Sequence, residues 1–214
     1  MPGDVLWLFG RGLSISCGLV WDDLPNCRQR SRDEKIECIT KELRAAMDAP
    51  VVNPQPIRHF LRFLAERTQG GLRHLLFTTN WDFLLQREVD AVAPDFRPPW
   101  LRDSHVFHLN GTVENLDDNS GRSALVLRED VQRKASRELN QALNYIVWGS
   151  IFVVVGLAFE CGADRSLFLI LNRVQNELPS GESHWIVVNP SQRDIDRARN
   201  LIECMLPDAK ERIS

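Results

Sequence analysis

Six short apolar runs, separated by helical patterns and loops, constrain the fold of this chain more than any other feature. They are residues 5–9, 74–78, 105–109, 124–127, 151–155 and 184–188. Several of these runs are apolar at nearly every position, which is typical of strands that are covered on both faces of a parallel sheet. The sequence therefore predicts buried parallel strands.

Helical patterns lie between the apolar runs. Ser31 and Glu34 have the spacing of a capping box, and an apolar face follows at Ile36, Ile39 and Leu43. The other helical patterns cover residues 57–64, 83–92, 131–146, 167–174 and 191–205. Because apolar residues at these spacings share one side of a helix, each pattern predicts a helix that packs on the sheet.

The alternation of strands with helices predicts an α/β fold built from βαβ units. Right-handed crossovers then give a doubly wound, Rossmann-like parallel sheet of about six strands with helices on both faces. The 214 residues suit a single domain, 1–214. Residues 21–70 hold two helical patterns and no clear strand, so we expect a small helical insertion or cap there.

Composition argues against several classes of partner. The formal net charge of -3 gives no global attraction for nucleic acid. The longest apolar run, residues 151–159, is far shorter than the ~20 residues that cross a bilayer. We therefore expect neither a nucleic-acid partner nor a membrane.

The five cysteines do not form a C-x-x-C pair, so the sequence offers no zinc knuckle and we expect no metal. Their scatter over the chain indicates free thiols in a reducing compartment. Since the N-terminus also lacks the basic start of a secretory signal, the predicted location is cytoplasmic.

Glycines follow the first apolar run, in the sequence Gly10-Arg11-Gly12-Leu13-Ser14. Small residues at this place allow backbone N–H groups to approach a pyrophosphate. A plain tight turn explains the same glycines equally well. The loop alone therefore leaves both interpretations open.

Polar residues follow the second and third runs. Thr79, Asn80 and Asp82 come after the second, where helix capping is the competing explanation. His108 and Asn110 end the third. Since side chains alternate along a strand, these two share a face and lie ~7 Å apart. A hydrogen-bonded core histidine is a serious alternative for His108.

The last two runs also end in residues that suit a ligand site. Gly156 ends the fifth run and Asn189 follows the sixth. Each has an ordinary alternative, a glycine that ends a strand and a turn before a helix. The carboxyl ends of parallel strands meet at one edge of a sheet. The five strand ends together therefore predict a ligand crevice there.

In this order the motifs resemble those of the sirtuin-like family, in particular its bacterial branch of zinc-less, NAD-cleaving domains. The matching stretches are Gly10 to Ser14, Thr78 to Asp82, Asn110-Gly111, Gly156 to Ala158 and Val188-Asn189. The stretch 125–130, Leu-Val-Leu-Arg-Glu-Asp, also looks like the one that follows the His-Gly strand in that branch. The resemblance spans nearly the whole chain, and the Thr-Thr-Asn-Trp-Asp match is its most specific part.

The resemblance implies NAD as substrate or ligand. Backbone around Gly10 to Ser14 would hold the phosphates, Asn80 would contact the nicotinamide ribose and position water, and Asp82 would bind the nicotinamide amide. Asn189 would contact the adenosine ribose. The implied NAD-binding residues are Gly10, Arg11, Gly12, Ser14, Thr79, Asn80, Asp82, Gly156 and Asn189.

Three departures from the family pattern bear on catalysis. Arg11 replaces an alanine, Ala158 replaces a serine, and Asn110 occupies the position of the catalytic histidine. Asparagine exchanges no proton near neutral pH, so general-base help worth ~100-fold or more is absent at that position. His108, on the same face, is the candidate substitute. The predicted catalytic set is therefore Asn80, Asp82, His108 and Asn110.

Two functions follow from this resemblance. The first is an NAD glycohydrolase that releases nicotinamide and ADP-ribose, in a bacterial antiphage system. The second is a module that binds NAD or ADP-ribose without turnover, or a domain that has lost its ligand and serves as an interaction partner. Protein deacylation is disfavoured because the zinc-binding cysteines are missing. The resemblance leaves open a homo-oligomer or a separate sensor protein.

Overall fold

A computed structural model describes most of the sheet and the helices around it. The described residues are 4–20, 31–67, 72–92, 101, 106–113, 125, 127, 143–145, 149–157, 170–174, 176, 183–206 and 213–214. The strands are β1 (Asp4–Phe9), β2 (His74–Thr78), β3 (Phe107–His108), β4 (Gly149–Val155) and β5 (His184–Val188).

All strand pairs are parallel, and the sheet order is β3-β2-β1-β4-β5. The chain first winds outward from β1 to β3 and then returns to place β4 on the other side of β1. This is the doubly wound arrangement that the sequence predicts, with the direction of winding reversed between β1 and β4. The described sheet has five strands where the sequence predicts about six.

The helices are α1 (Arg11–Ser16), α2 (Arg32–Met47), α3 (Gln55–Arg67), α4 (Leu84–Val92) and α5 (Gln192–Met205). The predicted capping box is confirmed at the start of α2, where the Ser31 amide donates to Glu34 Oε2 over 3.0 Å. Residues 143–145 and 170–174 are also helical. The rest of the predicted helix 131–146, and the start of 167–174, lie outside the described residues.

Helices cover both faces of the sheet, as the alternation of side chains along β1 and β2 requires. One face packs on α5 through a buried cluster that includes Leu6, Leu8, Leu75, Phe77, Trp185, Ala198 and Ile202. The other packs on α2, α3 and α4 through Phe9, Ile36, Leu43, Ile57, Leu61, Leu76 and Leu84. Both helices predicted within residues 21–70 thus lie against the sheet.

The edge strand β5 differs from the other long strands because it is buried on one face only. Trp185 and Val187 are buried, whereas Ile186 and Val188 are 37% and 49% exposed. Its open edge is covered by Ser214, which exchanges backbone hydrogen bonds with Trp185 and Val187 over 2.9 and 2.8 Å. Such cover hides backbone groups that would otherwise pair with another chain.

Two expectations from the sequence need comment. The predicted strand 124–127 falls mostly outside the described residues, and Leu125 and Leu127 are buried but lie in no strand.

Cys17 and Cys204 are free thiols, as expected, but Cys38 is disulfide-bonded, so the prediction that every cysteine is free is wrong at that position. Scatter along a sequence cannot show which cysteines the fold brings together.

Two kinds of feature are absent from the described part of the chain. No helix there is long and apolar enough to cross a membrane. No group of three or more histidine, cysteine or acidic side chains there is arranged to hold a metal ion.

Candidate functional site

Three glycines meet where the winding of the sheet reverses. Gly10, after β1, donates its amide to Val155 O over 2.8 Å, and Gly12 donates to Gly156 O over 3.0 Å. A Cβ atom on Gly10 would lie 2.6 Å from Gly156 O, and one on Gly12 would lie 2.7 Å from Gly156 Cα. We call this contact the glycine junction. Its glycines are required because two backbone segments touch.

Gly156 is constrained twice at the glycine junction. Its φ is 64°, in the left-handed region that only glycine enters at little cost. A Cβ atom there would also lie 2.8 Å from Gly12 Cα. The space beside Gly156 is therefore filled by the chain itself, at the switch point where such folds place ligands.

Ser14 joins two of the predicted site residues. Its hydroxyl donates to Asp82 Oδ2 over 2.6 Å and accepts from Asn80 Nδ2 over 2.7 Å. Asn80 Nδ2 also lies 3.2 Å from Gly10 O. Ser14, Asn80 and Asp82 are 2%, 5% and 4% exposed. The fold thus brings together residues that are up to 68 positions apart in one buried polar cluster beside the glycine junction.

The Asp82 carboxyl group is held on both oxygens. Oδ2 accepts from Ser14, and Oδ1 accepts from the Leu84 amide over 3.2 Å, so Asp82 also caps the start of α4. Burial raises the pKa of Asp82, while the hydrogen bond from Ser14 acts in the opposite direction. The helix-end contact that the sequence offered as the competing explanation is present, and a role of Asp82 in binding stays a prediction.

Side chains at the end of β3 and just after it form hydrogen bonds with the loop from Thr79 to Asp82. Asn110 Nδ2 donates to Thr79 O over 3.0 Å, and His108 Nδ1 lies 3.3 Å from Asn80 O. A carbonyl oxygen only accepts, so Nδ1 is the donor in this contact, and a neutral imidazole then has its lone pair on Nε2. His108 and Asn110 are each 1% exposed. Both contact the same loop, although Asn110 lies in the turn after β3 and not on the strand itself.

Thr112 and Val113 make a third contact with this loop. Thr112 Oγ1 donates to Trp81 O over 3.1 Å, and the Val113 amide donates to the same oxygen over 2.9 Å. The side chains of residues 108, 110 and 112 thus contact the carbonyls of residues 80, 79 and 81, respectively. Thr112 was not among the predicted site residues, and strand alternation could not have found it, because the chain turns after His108.

Asn189 lies across the β4–β5 side of the junction. Its Nδ2 atom donates to Leu157 O over 2.9 Å, and its Oδ1 atom accepts from the Ser191 amide over 3.0 Å. The Oδ1 end thus holds the turn that leads into α5, and the Nδ2 end connects that turn with the chain after β4. Arg11, the departure from the family glycine loop, is half-buried at the start of α1. Ala158 lies outside the described residues.

Comparisons with known proteins give matches among solved structures alone. No family model matches the chain, and no match was found among the curated proteins. A chain from a structural study of the mechanism and regulation of Sir2 enzymes is 16% identical, with 98% of this chain and 93% of that chain covered and a TM-score of 0.44. A Sir2 structure with p53 peptide and NAD+ is 16% identical over 94% of this chain and 92% of that chain, with a TM-score of 0.43.

A third match is a Sir2 complex with an inhibitor, 2'-O-acetyl-ADP-ribose and a deacetylated p53 peptide. It is 14% identical over 94% of this chain and 93% of that chain, with a TM-score of 0.44. These scores and identities are low.

Proposed function

We propose that this protein binds NAD, or its ADP-ribose part, in the crevice at the switch point between β1 and β4. The observation that carries this proposal is the convergence of Ser14, Asn80 and Asp82 beside the glycine junction. Ligands of doubly wound sheets bind outside the carboxyl ends of the strands, where the order reverses. Polar groups gathered at that point are suited to fix the orientation of a nucleotide.

Each part of the cluster suits a different part of the dinucleotide. The turn at Gly10 and Gly12 carries no side chain that would keep a pyrophosphate from the backbone. The Asn80 amide suits a ribose hydroxyl, and the Asp82 carboxylate suits the N–H groups of a carboxamide. Because Asn80 and Asp82 are bonded to Ser14, a ligand that reaches them takes over hydrogen bonds that Ser14 makes in this structure.

Hydrolysis of NAD is the second candidate function, and His108 favours it. Its imidazole lone pair is on Nε2 because Nδ1 donates to the Asn80 carbonyl, so Nε2 is the atom that would accept a proton. Asn110 offers no such atom and braces Thr79 instead. Binding is the primary proposal because Ser14, Asn80 and Asp82 support it without a proton-transfer group.

The remaining features implied by the resemblance stay predictions. They are membership of the bacterial zinc-less branch, a role in antiphage defence, a cytoplasmic location, and a homo-oligomer or separate sensor protein as partner. Each concerns the setting of the protein rather than its site. None is needed for the binding proposal.

The experiment that tests the proposal is an isothermal calorimetric titration with NAD, with nicotinamide release assayed in the same samples. We expect saturable binding at one site per chain. Asp82→Asn should weaken binding about 10-fold or more, because a charge-assisted hydrogen bond is worth about 1.5–3 kcal/mol. Asp196→Asn makes the same chemical change on the exposed face of α5 and should leave the affinity unchanged.

The outcomes separate the two functions. Binding without nicotinamide release supports the binding module, whereas release that His108→Gln abolishes supports hydrolysis. Absence of binding by the folded wild-type protein up to millimolar NAD would reject the proposal. Equal affinity of the Asp82→Asn and wild-type proteins would reject the role given to Asp82.

A further inference from the structure

Helix α2 contacts the chain just beyond β3 through one arginine. Arg44 lies in the last turn of α2 and is half-buried. Its Nε and Nη2 atoms both donate to Val113 O, over 3.1 and 2.8 Å. Two donors in the fixed plane of a guanidinium define the position of that oxygen more tightly than a single donor would.

Val113 connects Arg44 with the candidate site, because it is bonded to both Arg44 and Trp81. Its side chain is fully buried, and its amide donates to Trp81 O over 2.9 Å. Trp81 lies between Asn80 and Asp82 in the chain. Two successive contacts, from Arg44 to Val113 and from Val113 to Trp81, thus connect α2 with the loop that carries both polar residues.

A second arginine of α2 makes a contact of the same kind elsewhere. Arg32, in the first turn, donates through Nη2 to Leu125 O over 3.0 Å. Positions 32 and 44 are ~18 Å apart along a helix. Arg32 is half-buried, as Arg44 is, but the hydrogen bonds described for it do not reach the loop from Thr79 to Asp82. It is therefore a matched reference for Arg44.

We propose that Arg44 is a positioning residue of the candidate site, which holds the loop carrying Asn80 and Asp82 in place through Val113. The part of the inference that concerns ligand affinity rests on the proposed function, and the part that concerns the loop does not. It gives α2, which lies in the predicted helical insertion, a role in the site. Arg44 itself touches none of the proposed ligand-binding side chains through the hydrogen bonds described for it.

The test compares Arg44→Met, Arg44→Lys and Arg32→Met in two measurements. The first is amide hydrogen exchange at Val113, which needs no ligand. The second is NAD affinity by calorimetry. We expect Arg44→Met to lower the protection of the Val113 amide and to weaken NAD binding, each about 10-fold, as expected for the loss of one charge-assisted contact. Arg44→Lys keeps one donor and should fall between Arg44→Met and wild type.

The reference variant decides whether the effect is specific. Arg32→Met should leave the Val113 amide and the NAD affinity at wild-type values. Equal effects of Arg32→Met and Arg44→Met, or unchanged Val113 exchange in Arg44→Met, would overturn the proposal. If Arg44→Met does not fold, the comparison of Arg44→Lys with Arg32→Lys applies the same criteria.

If the proposed function is wrong, the two measurements give a different combination of results. In that case the wild-type protein binds no NAD, while the Val113 amide still responds to Arg44→Met. The positioning of the loop by Arg44 would then stand without a ligand. If exchange responds and NAD affinity does not, the role of Arg44 in the site is rejected.

Discussion

The glycine junction and the loop from Thr79 to Asp82 are adjacent, but they are held in opposite ways. At the junction, Gly10 and Gly12 touch Gly156 backbone to backbone, and no side chain fits between them. In the loop, successive carbonyls are contacted by side chains of His108, Asn110 and Thr112. One region depends on the absence of side chains, and the other depends on their presence.

This difference determines how each region responds to change. A steric contact between backbones has no alternative arrangement, so one added methyl group displaces a whole segment. A loop held by several hydrogen bonds loses them one at a time. We therefore expect large effects at the junction and graded effects in the loop.

The largest effect is expected for Gly156→Ala. It combines a positive φ of 64° with a Cβ atom 2.8 Å from Gly12 Cα. Strain and overpacking together should lower the free energy of unfolding by about 4 kcal/mol, measured by chemical denaturation. Gly18→Ala shares the positive φ, but its Cβ atom would meet one backbone oxygen, Val51 O, at 2.9 Å. If Gly18→Ala destabilises as much as Gly156→Ala, the junction is not special.

The next largest effect is a loss of stability at acid pH. It is caused by His74, which lies at the end of β2 away from the loop. His74 Nδ1 accepts from Trp7 Nε1 over 3.1 Å, and burial lowers the pKa of His74 to about 4. The unfolded chain, with a histidine pKa of ~6.5, binds more protons between these values. Stability should therefore be full above pH ~6.5 and decrease by up to about 3 kcal/mol as the pH falls to ~4.

The measurement is chemical denaturation between pH 4 and 7 for wild-type, His74→Gln and His59→Gln proteins. His59 is exposed on α3 and serves as the reference. His74→Gln should flatten the acid side of the profile, since it cannot be protonated, whereas His59→Gln should leave the profile unchanged. An unchanged slope in His74→Gln would show that another group controls acid unfolding.

A smaller effect is expected for Asn110→Ala in the loop. The substitution removes the donor to the Thr79 carbonyl, in a part-buried contact. A loss of about 1.5 kcal/mol in unfolding free energy follows from the loss of this hydrogen bond. A loss as large as that of Gly156→Ala would contradict the contrast between the two regions.

The smallest effect is expected for Thr112→Val. The variant keeps the shape of the side chain and removes its hydroxyl, but the Trp81 carbonyl still accepts from the Val113 amide. The free energy of unfolding should change by less than about 1 kcal/mol. A loss of several kcal/mol would show that the two donors to this carbonyl are not redundant.

The parts of the fold that the sequence predicts well are those set by local pattern. The runs 74–78 and 184–188 coincide with β2 and β5. Continuous apolar residues mark a strand that is buried on both faces, as β2 is, whereas β5 is buried on one face only. The run 105–109 predicts a longer strand than the two residues of β3. After His108 the chain turns, with the Gly111 amide donating to His108 O, and Asn110 then braces the loop.

The site was predicted only in part because its contacts join distant positions. The strand-end motifs correctly located Ser14, Asn80 and Asp82 at one edge, but no local pattern shows that Ser14 bonds both others. The bond from Arg44 to Val113 spans 69 positions and has no signature in the sequence. The glycine motif was ambiguous for the same reason, since its partner is Gly156.

We propose that the crevice between β1 and β4 binds a dinucleotide beside Asn80 and Asp82. A crystal structure of the protein grown with saturating NAD tests this proposal most directly. We expect pyrophosphate density against the turn at Gly10 and Gly12, with the nicotinamide ribose next to Asn80. Density for the dinucleotide at another place on the molecule, or an empty crevice at saturating NAD, would contradict it.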